Sequence, residues 1–130
     1  MALMEFREPN QVQWIGVRPA HRGTQICTYA AIINGLAIIY TVPAGKHFCL
    51  IESLCRMTVA ATGMGRVTYQ TAGGMSYRTL CSIWYDAFGY SGDGSFCPAY
   101  PLELVEGERL VVVSSALVLS VEGHIFGWEE

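Results

Sequence analysis

From Gly23 to Gly45 the chain carries no charged residue, and in the middle of that stretch stands Asn34-Gly35. An uncharged run of this length suffices to cross a bilayer as a helix. The dipeptide argues for another use. Asn-Gly supplies the positive φ angles of a tight two-residue turn, and the flanking runs ICTYAAII and LAIIYTV are rich in β-branched and aromatic residues. The stretch therefore reads as a strand, a hairpin turn and a second strand.

The same punctuation recurs at Pro43-Ala44-Gly45, Gly63-Met64-Gly65, Gly73-Gly74, the loop GYSGDGS of residues 89–95, and Glu106-Gly107. Between these turns lie runs of Val, Ile, Thr, Tyr and Leu, which suit a pleated sheet. They predict about eight strands, at residues 25–33, 36–42, 47–60, 65–72, 75–86, 101–105, 108–115 and 117–127. No segment sustains a helical period, so the expected fold class is an all-β sandwich or barrel. At 130 residues the chain is one domain, residues 25–130. Residues 1–24 differ. They hold Pro9, Pro19, several charges and the isolated apolar residues Phe6, Trp14 and Ile15, a composition that predicts an extended N-terminal arm.

Two segments share one phrase: VPAGKHFCLIES at residues 42–53 and LVEGERLVVVSS at residues 104–115. In each, a short turn containing Gly leads through polar residues into an apolar run. A phosphate cradle would need a helix behind the glycine to present its amides, and none is predicted. The phrase reads as turn-then-strand grammar, with Gly supplying positive φ.

Alternation assigns faces, because successive strand side chains point to opposite sides. In 47–60 both sets are apolar: Cys49, Ile51, Cys55, Met57 and Val59 on one side, Phe48, Leu50 and Leu54 on the other. Burial on both faces is expected, under the arm, a loop or another subunit. In the last strand Leu117, Leu119, Val121 and Ile125 share one parity, leaving Glu122, His124, Phe126 and Trp128 on the other. Phe126 and Trp128 then face outward as a contact patch, unless a bulge at Gly123 returns them to the core.

Chemistry-bearing patterns are sparse. The eight Lys and Arg are scattered and the net charge is −3, so no positive stripe for nucleic acid forms. Five cysteines, Cys27, Cys49, Cys55, Cys81 and Cys97, lack CxxC spacing and read as free thiols of a reducing compartment. His21, His47 and His124 stand in no ligand motif, although a fold could assemble them. Cys49 shares a strand face with His47 but sits in no nucleophile elbow. Asp86 and Asp93 lie among Tyr85, Phe88, Tyr90 and Phe96, which could form a sugar platform, or Asp93-Gly94 is simply a loop tip. No cofactor, metal, nucleic acid or membrane partner is indicated. The N-terminus MALMEFREPN has charges where a signal peptide needs apolar residues. The chain is 52% apolar and only 15% charged, which suggests surface buried against other chains.

The order TVPAGK, a long strand, GMGRVTYQTAGG, then PLELVEGERLVVVSSALVLSVEGHIFGWEE resembles small jelly-roll proteins of tailed bacteriophage virions, the decoration or cementing proteins of the capsid exterior. The resemblance covers residues 40–130 and rests on turn-and-strand patterns; the first 24 residues match no member. It implies an eight-stranded antiparallel jelly roll, associated as dimers or trimers, that bridges major capsid subunits without catalysis after assembly in the bacterial cytoplasm. Phe6, Trp14, Ile15, Phe126 and Trp128 are the candidate anchors. Three alternatives stay open: a receptor-binding tail or fibre tip, a carbohydrate-binding module, and a cupin-like metalloenzyme.

Overall fold

The computed structural model describes residues 23–130 apart from 60, 93, 100 and 118. Ten strands follow in chain order: β1 (Thr24–Ile33), β2 (Gly35–Thr41), β3 (His47–Val59), β4 (Gly63–Gln70), β5 (Ser76–Asp86), β6 (Gly89–Ser91), β7 (Ser95–Phe96), β8 (Leu102–Val105), β9 (Arg109–Ser114) and β10 (Ser120–Glu129). The described residues contain no helix. All eight expected strands are present within a few residues of their expected bounds. The short strands β6 and β7 are additional, β6 inside the segment 89–95 read as a loop and β7 across its end.

The strands build two antiparallel sheets. Sheet I runs β1-β10-β3, with β7 and β8 pairing successive stretches of the far side of β3; sheet II runs β2-β9-β4-β5-β6. Each sheet thus interleaves early strands with late ones, the double-sheet wrapping of a jelly roll.

Asn34 (φ 56°) and Gly35 (φ 125°) form the expected turn, but not the expected hairpin. β1 pairs with β10, whereas β2 pairs with β9 in the other sheet. The reason is the core. Ile26, Ala30 and Ile32 on β1 and Ala37 and Ile39 on β2 all pack on one apolar cluster, so the chain must change sheets between them.

The repeated phrase is indeed turn grammar, and its two copies lie side by side. Gly45 and Gly107 both adopt positive φ, at 76° and 83°. Val42 N donates to Glu108 O (3.0 Å), Gly107 N donates to Val42 O (2.9 Å), and Gly45 N donates to Glu106 Oε1 (2.9 Å). Each turn therefore satisfies backbone groups of the other.

Expected burial on both faces of β3 is corrected by a bulge. Phe48 and Leu50 are buried, then Ser53 and Cys55, so the inward parity changes between residues 50 and 53. The β10 ladder shows how: Phe126 lies opposite Glu52 and Gly127 opposite Leu50, leaving Ile51 unmatched. One extra residue on β3 flips its alternation. Leu54 accordingly stays exposed, and no cover over a second apolar row is needed. A second irregularity lies where Ser120 pairs with Val59 and Val121 with Met57.

The alternative bulge at Gly123 does not occur; that residue pairs in unbroken register with Ala30 and Cys55. Gly123 and Gly127 face inward, Gly123 against side chains of sheet II and Gly127 against Phe48 and Cys49 of the neighbouring β3. A Cβ on Gly123 would lie 2.9 Å from both Ile39 Cδ1 and Val112 Cβ, and one on Gly127 would lie 2.5 Å from the Phe48 ring. Around them Phe48, Leu50, Leu104, Leu110, Leu119 and Val112 are fully buried. Each such side chain contributes about 1.5–3 kcal/mol of hydrophobic stabilisation. Leu117, expected on the inward row, precedes β10 in an exposed turn.

Candidate interaction surface

Strand alternation sends Cys27 and Tyr29 of β1, Glu122, His124, Phe126 and Trp128 of β10, and Glu52, Leu54 and Arg56 of β3 to the outer face of sheet I. The pairing sets them in ranks: Cys27, Phe126, Glu52; then Tyr29, His124, Leu54; then Ala31, Glu122, Arg56. Phe126 and Trp128 keep the outward parity expected of them. Their rings meet edge-on with centroids 6.4 Å apart, and both are half-buried. Phe6, Trp14 and Ile15 lie outside the described residues.

Beside the aromatic row stands a polar cluster. The Tyr29 ring stacks on the His124 imidazole at 5.1 Å and 16°. Arg56 Nε donates to Glu122 Oε1 at 3.0 Å, and His124 Nε2 lies 3.0 Å from the same oxygen. The hydrogen bond from His124, then that from Arg56, hold the Glu122 carboxyl below the usual carboxylate range. Cys27, Glu52, Leu54, His124, Ile125 and Phe126 line a shallow open groove between these groups. Leu54, expected on a covered row with Phe48 and Leu50, is exposed instead, and Tyr29 was missed because the alternation of the first strand was not followed, although the period-two pattern in TQICTYAAII marks Cys27 and Tyr29.

The two ends of the sandwich differ. At one, Ile33 and Val59 project from the ends of β1 and β3, and Phe88 and Leu117 from the turns after β5 and β9, with Leu117 77% and Phe88 98% exposed. At the other, polar groups are paired: Tyr40 with Glu129, Tyr69 Oη with Glu108 Oε2 at 2.6 Å, and Arg109 Nε with Gln70 Oε1 at 2.9 Å. Exposed apolar side chains thus lie on the outer face of sheet I and at the first end, and also on sheet II at Leu36, Ile38, Trp84 and Tyr90 and at the second end at Met75 and Val105.

Among the described residues the candidate catalytic and metal residues do not converge, and His21 lies outside those residues. His47 stands on β3 and His124 lies opposite Leu54, seven residues further along that strand, which separates them by on the order of 20 Å. Among the described residues no group of three His, Cys, Asp or Glu could hold a metal. Burial, with Glu103 and then Glu130 nearby, pushes the Cys49 thiol up, the reverse of what a nucleophilic thiolate needs. Asp86 Oδ1 accepts from Phe88 N at 2.8 Å and so closes its own turn; Asp93 lies outside the described residues. Phe96 packs against the core instead of forming a platform. No described helix is long and apolar enough to cross a membrane.

No family model matches the chain, and no curated protein matches it. Among solved structures the chain is similar to one in the acid-stable capsid of Helicobacter pylori bacteriophage KHP30, with 10% identity, a TM-score of 0.47, and coverage of 85% of this chain and 95% of that one.

Proposed function

We propose that the chain is a non-enzymatic structural protein of a phage virion, which decorates the outside of the capsid and cements it by bridging neighbouring major capsid subunits. The distribution of apolar surface supports this reading. A jelly roll with a complete core nevertheless presents Tyr29, Leu54, Phe126 and Trp128 on the outer face of one sheet and more apolar side chains at one end. A catalyst needs polar groups converging in a concave site, whereas an adhesive surface needs apolar anchors rimmed by polar groups. Arg56, Glu122 and His124 border the aromatic row in the second manner. Jelly rolls are a recurrent architecture of viral shells and of lectins.

In this reading the outer face of sheet I lies across a junction between capsid subunits, and the first 24 residues reach an adjacent subunit through Phe6, Trp14 and Ile15. Copies of the chain associate with one another on the particle exterior. Assembly in the bacterial cytoplasm agrees with five free thiols. Contact made only with the intact shell stabilises it by mass action.

The test is co-sedimentation of the purified chain with shells of the phage that encodes it, stripped of accessory protein. Saturable binding and a higher shell-disruption temperature are expected. Phe126→Ala with Trp128→Ala should weaken binding at least tenfold, as truncation of central aromatic anchors does. A chain that stays in the supernatant at all concentrations sinks the reading.

One observation favours a carbohydrate-binding or receptor-binding module. Trp84, Phe88 and Tyr90 are exposed around the β5–β6 turn, with Tyr90 packed on Tyr85 at 4.9 Å. Retention on a host polysaccharide column, lost in Phe88→Ala, would identify that function.

A further inference from the structure

β1 forms one edge of sheet I, and no described strand pairs with its outer side. Its ten residues, TQICTYAAII, contain no charge and no proline, and they pair with β10 from Thr24 to Ile33 without a register break. Folded proteins ordinarily blunt such an edge by shortening, bulging or charging it, because a row of unpaired amides and carbonyls templates another strand. The opposite edge of the sheet is blunted in that way, since β7 has two residues and β8 four.

We infer that β1 is an assembly edge, which pairs antiparallel with β1 of a second copy of this chain to join two first sheets into one. The choice of occupant follows from complementarity. A partner for the whole edge must be an extended segment of similar length, without proline or charge, and β1 itself meets each requirement. Self-pairing sets no like charges opposite one another. A two-fold axis normal to the sheet at Tyr29 keeps outward residues together, with Cys27 of one copy opposite Ala31 of the other and Gln25 opposite Ile33. Tyr29 and Ile33, 59% and 60% exposed, then add apolar contact to the ladder hydrogen bonds. On the same flank β2, the edge of sheet II, contributes exposed Leu36 and Ile38.

Other arrangements fit less well. Head-to-tail stacking through β7 and β8 would offer short, interrupted strands to a ten-residue edge and would leave an open chain of subunits, whereas isologous pairing consumes both edges. Residues 1–22 carry Pro9 and Pro19, which cannot donate to a ladder, and five Lys, Arg, Asp or Glu residues. The inference stands independently of the virion reading.

The experiment is multi-angle light scattering of the full chain across about 10–200 μM, a range that spans micromolar affinity. A mass of twice 14.3 kDa is expected. Ala31→Lys with Ile33→Lys places cations on the edge and should give a folded monomer by circular dichroism, while deletion of residues 1–20 should leave the dimer intact. Amide exchange in the unmodified chain provides a reading that needs no variant: alternate amides of β1 should gain protection as concentration rises. A monomer or trimer throughout, a dimer that survives both lysines, dimer loss on deleting residues 1–20, or β1 amides indifferent to concentration would each overturn the inference.

Discussion

The hydroxyl of Tyr40 donates a hydrogen bond to Glu129 Oε2, tying the end of β2 in one sheet to the end of β10 in the other. The same ring packs on Phe48, with centroids 4.8 Å apart, so one side chain couples the polar end of the sandwich to its core. Burial, then the Glu129 carboxylate, pushes the phenol well above its usual range. Tyr40→Phe should cost about 1 kcal/mol in urea denaturation, the usual net value of such a bond. A change below about 0.3 kcal/mol would show the bond to be incidental. The pH dependence has a definite sign. Above about pH 10 the unfolded chain ionises Tyr40 while the folded chain does not, so stability falls as pH rises, and Tyr40→Phe should lose part of that alkaline slope.

Deleting Ile51 removes the extra residue of the β3 bulge. Phe48, Leu50, Ser53 and Cys55 would then stand on one unbroken alternation and still face the core together. The deletion removes only the buried Ile51 side chain, worth about 1.5–3 kcal/mol, so the variant should fold with a lowered urea midpoint, and an unfolded variant would show that the bulge itself is required. Ile51→Val keeps the count of residues and should cost about 1 kcal/mol.

Gly127→Ala tests the close approach of backbone and ring. The added Cβ would lie 2.3 Å from Cys49 O and 2.5 Å from Phe48, so overpacking should cost about 1–3 kcal/mol. At Gly35 a Cβ meets nothing within 4 Å, and the expected penalty of Gly35→Ala comes from its φ of 125° alone. Thermal melts of both variants separate crowding from backbone strain.

The cysteines should divide by reactivity. Cys27 and Cys97 are exposed, whereas Cys55 is buried with its thiol pushed up to about 12 by burial and then by Cys81. Ser53 Oγ lies 3.7 Å from Cys81 Sγ in the same core. At pH 8 a maleimide should modify two thiols quickly, Cys49 slowly, and Cys55 and Cys81 only on unfolding. Rapid modification of Cys55 in the folded chain would contradict the packing around it.

Glu122 should resist protonation. Its carboxyl is held low in the folded state, so its contribution to stability is present above the ordinary carboxylate range near pH 4.3 and disappears as pH falls through the lowered folded value. A carbon-13 carboxyl titration should place its midpoint below those of exposed glutamates, and His124→Gln should move it back toward them.

Local sequence was sufficient for the strands, because turn chemistry at Asn34-Gly35, Gly45 and Gly107 and period-two alternation are short-range properties. The outward placement of Phe126 and Trp128 was legible for the same reason: β10 keeps a single parity from Val121 to Trp128. The sheet to which each strand belongs was not legible. Asn34-Gly35 serves equally to join paired strands or to carry the chain between sheets, and only the shared core beneath Ile26, Ile32, Ala37 and Ile39 chose the second. The bulge at Ile51 was hidden likewise, since an extra residue on β3 exists only relative to the strand beside it. Tyr29 and His124 are far apart in the chain and stacked in the fold because β1 and β10 pair across its two ends. Alternation and turn residues were written in the sequence, while pairing partners, register breaks and the outer-face cluster were decided by long-range burial, whose free energy depends on contacts between segments that no local pattern encodes.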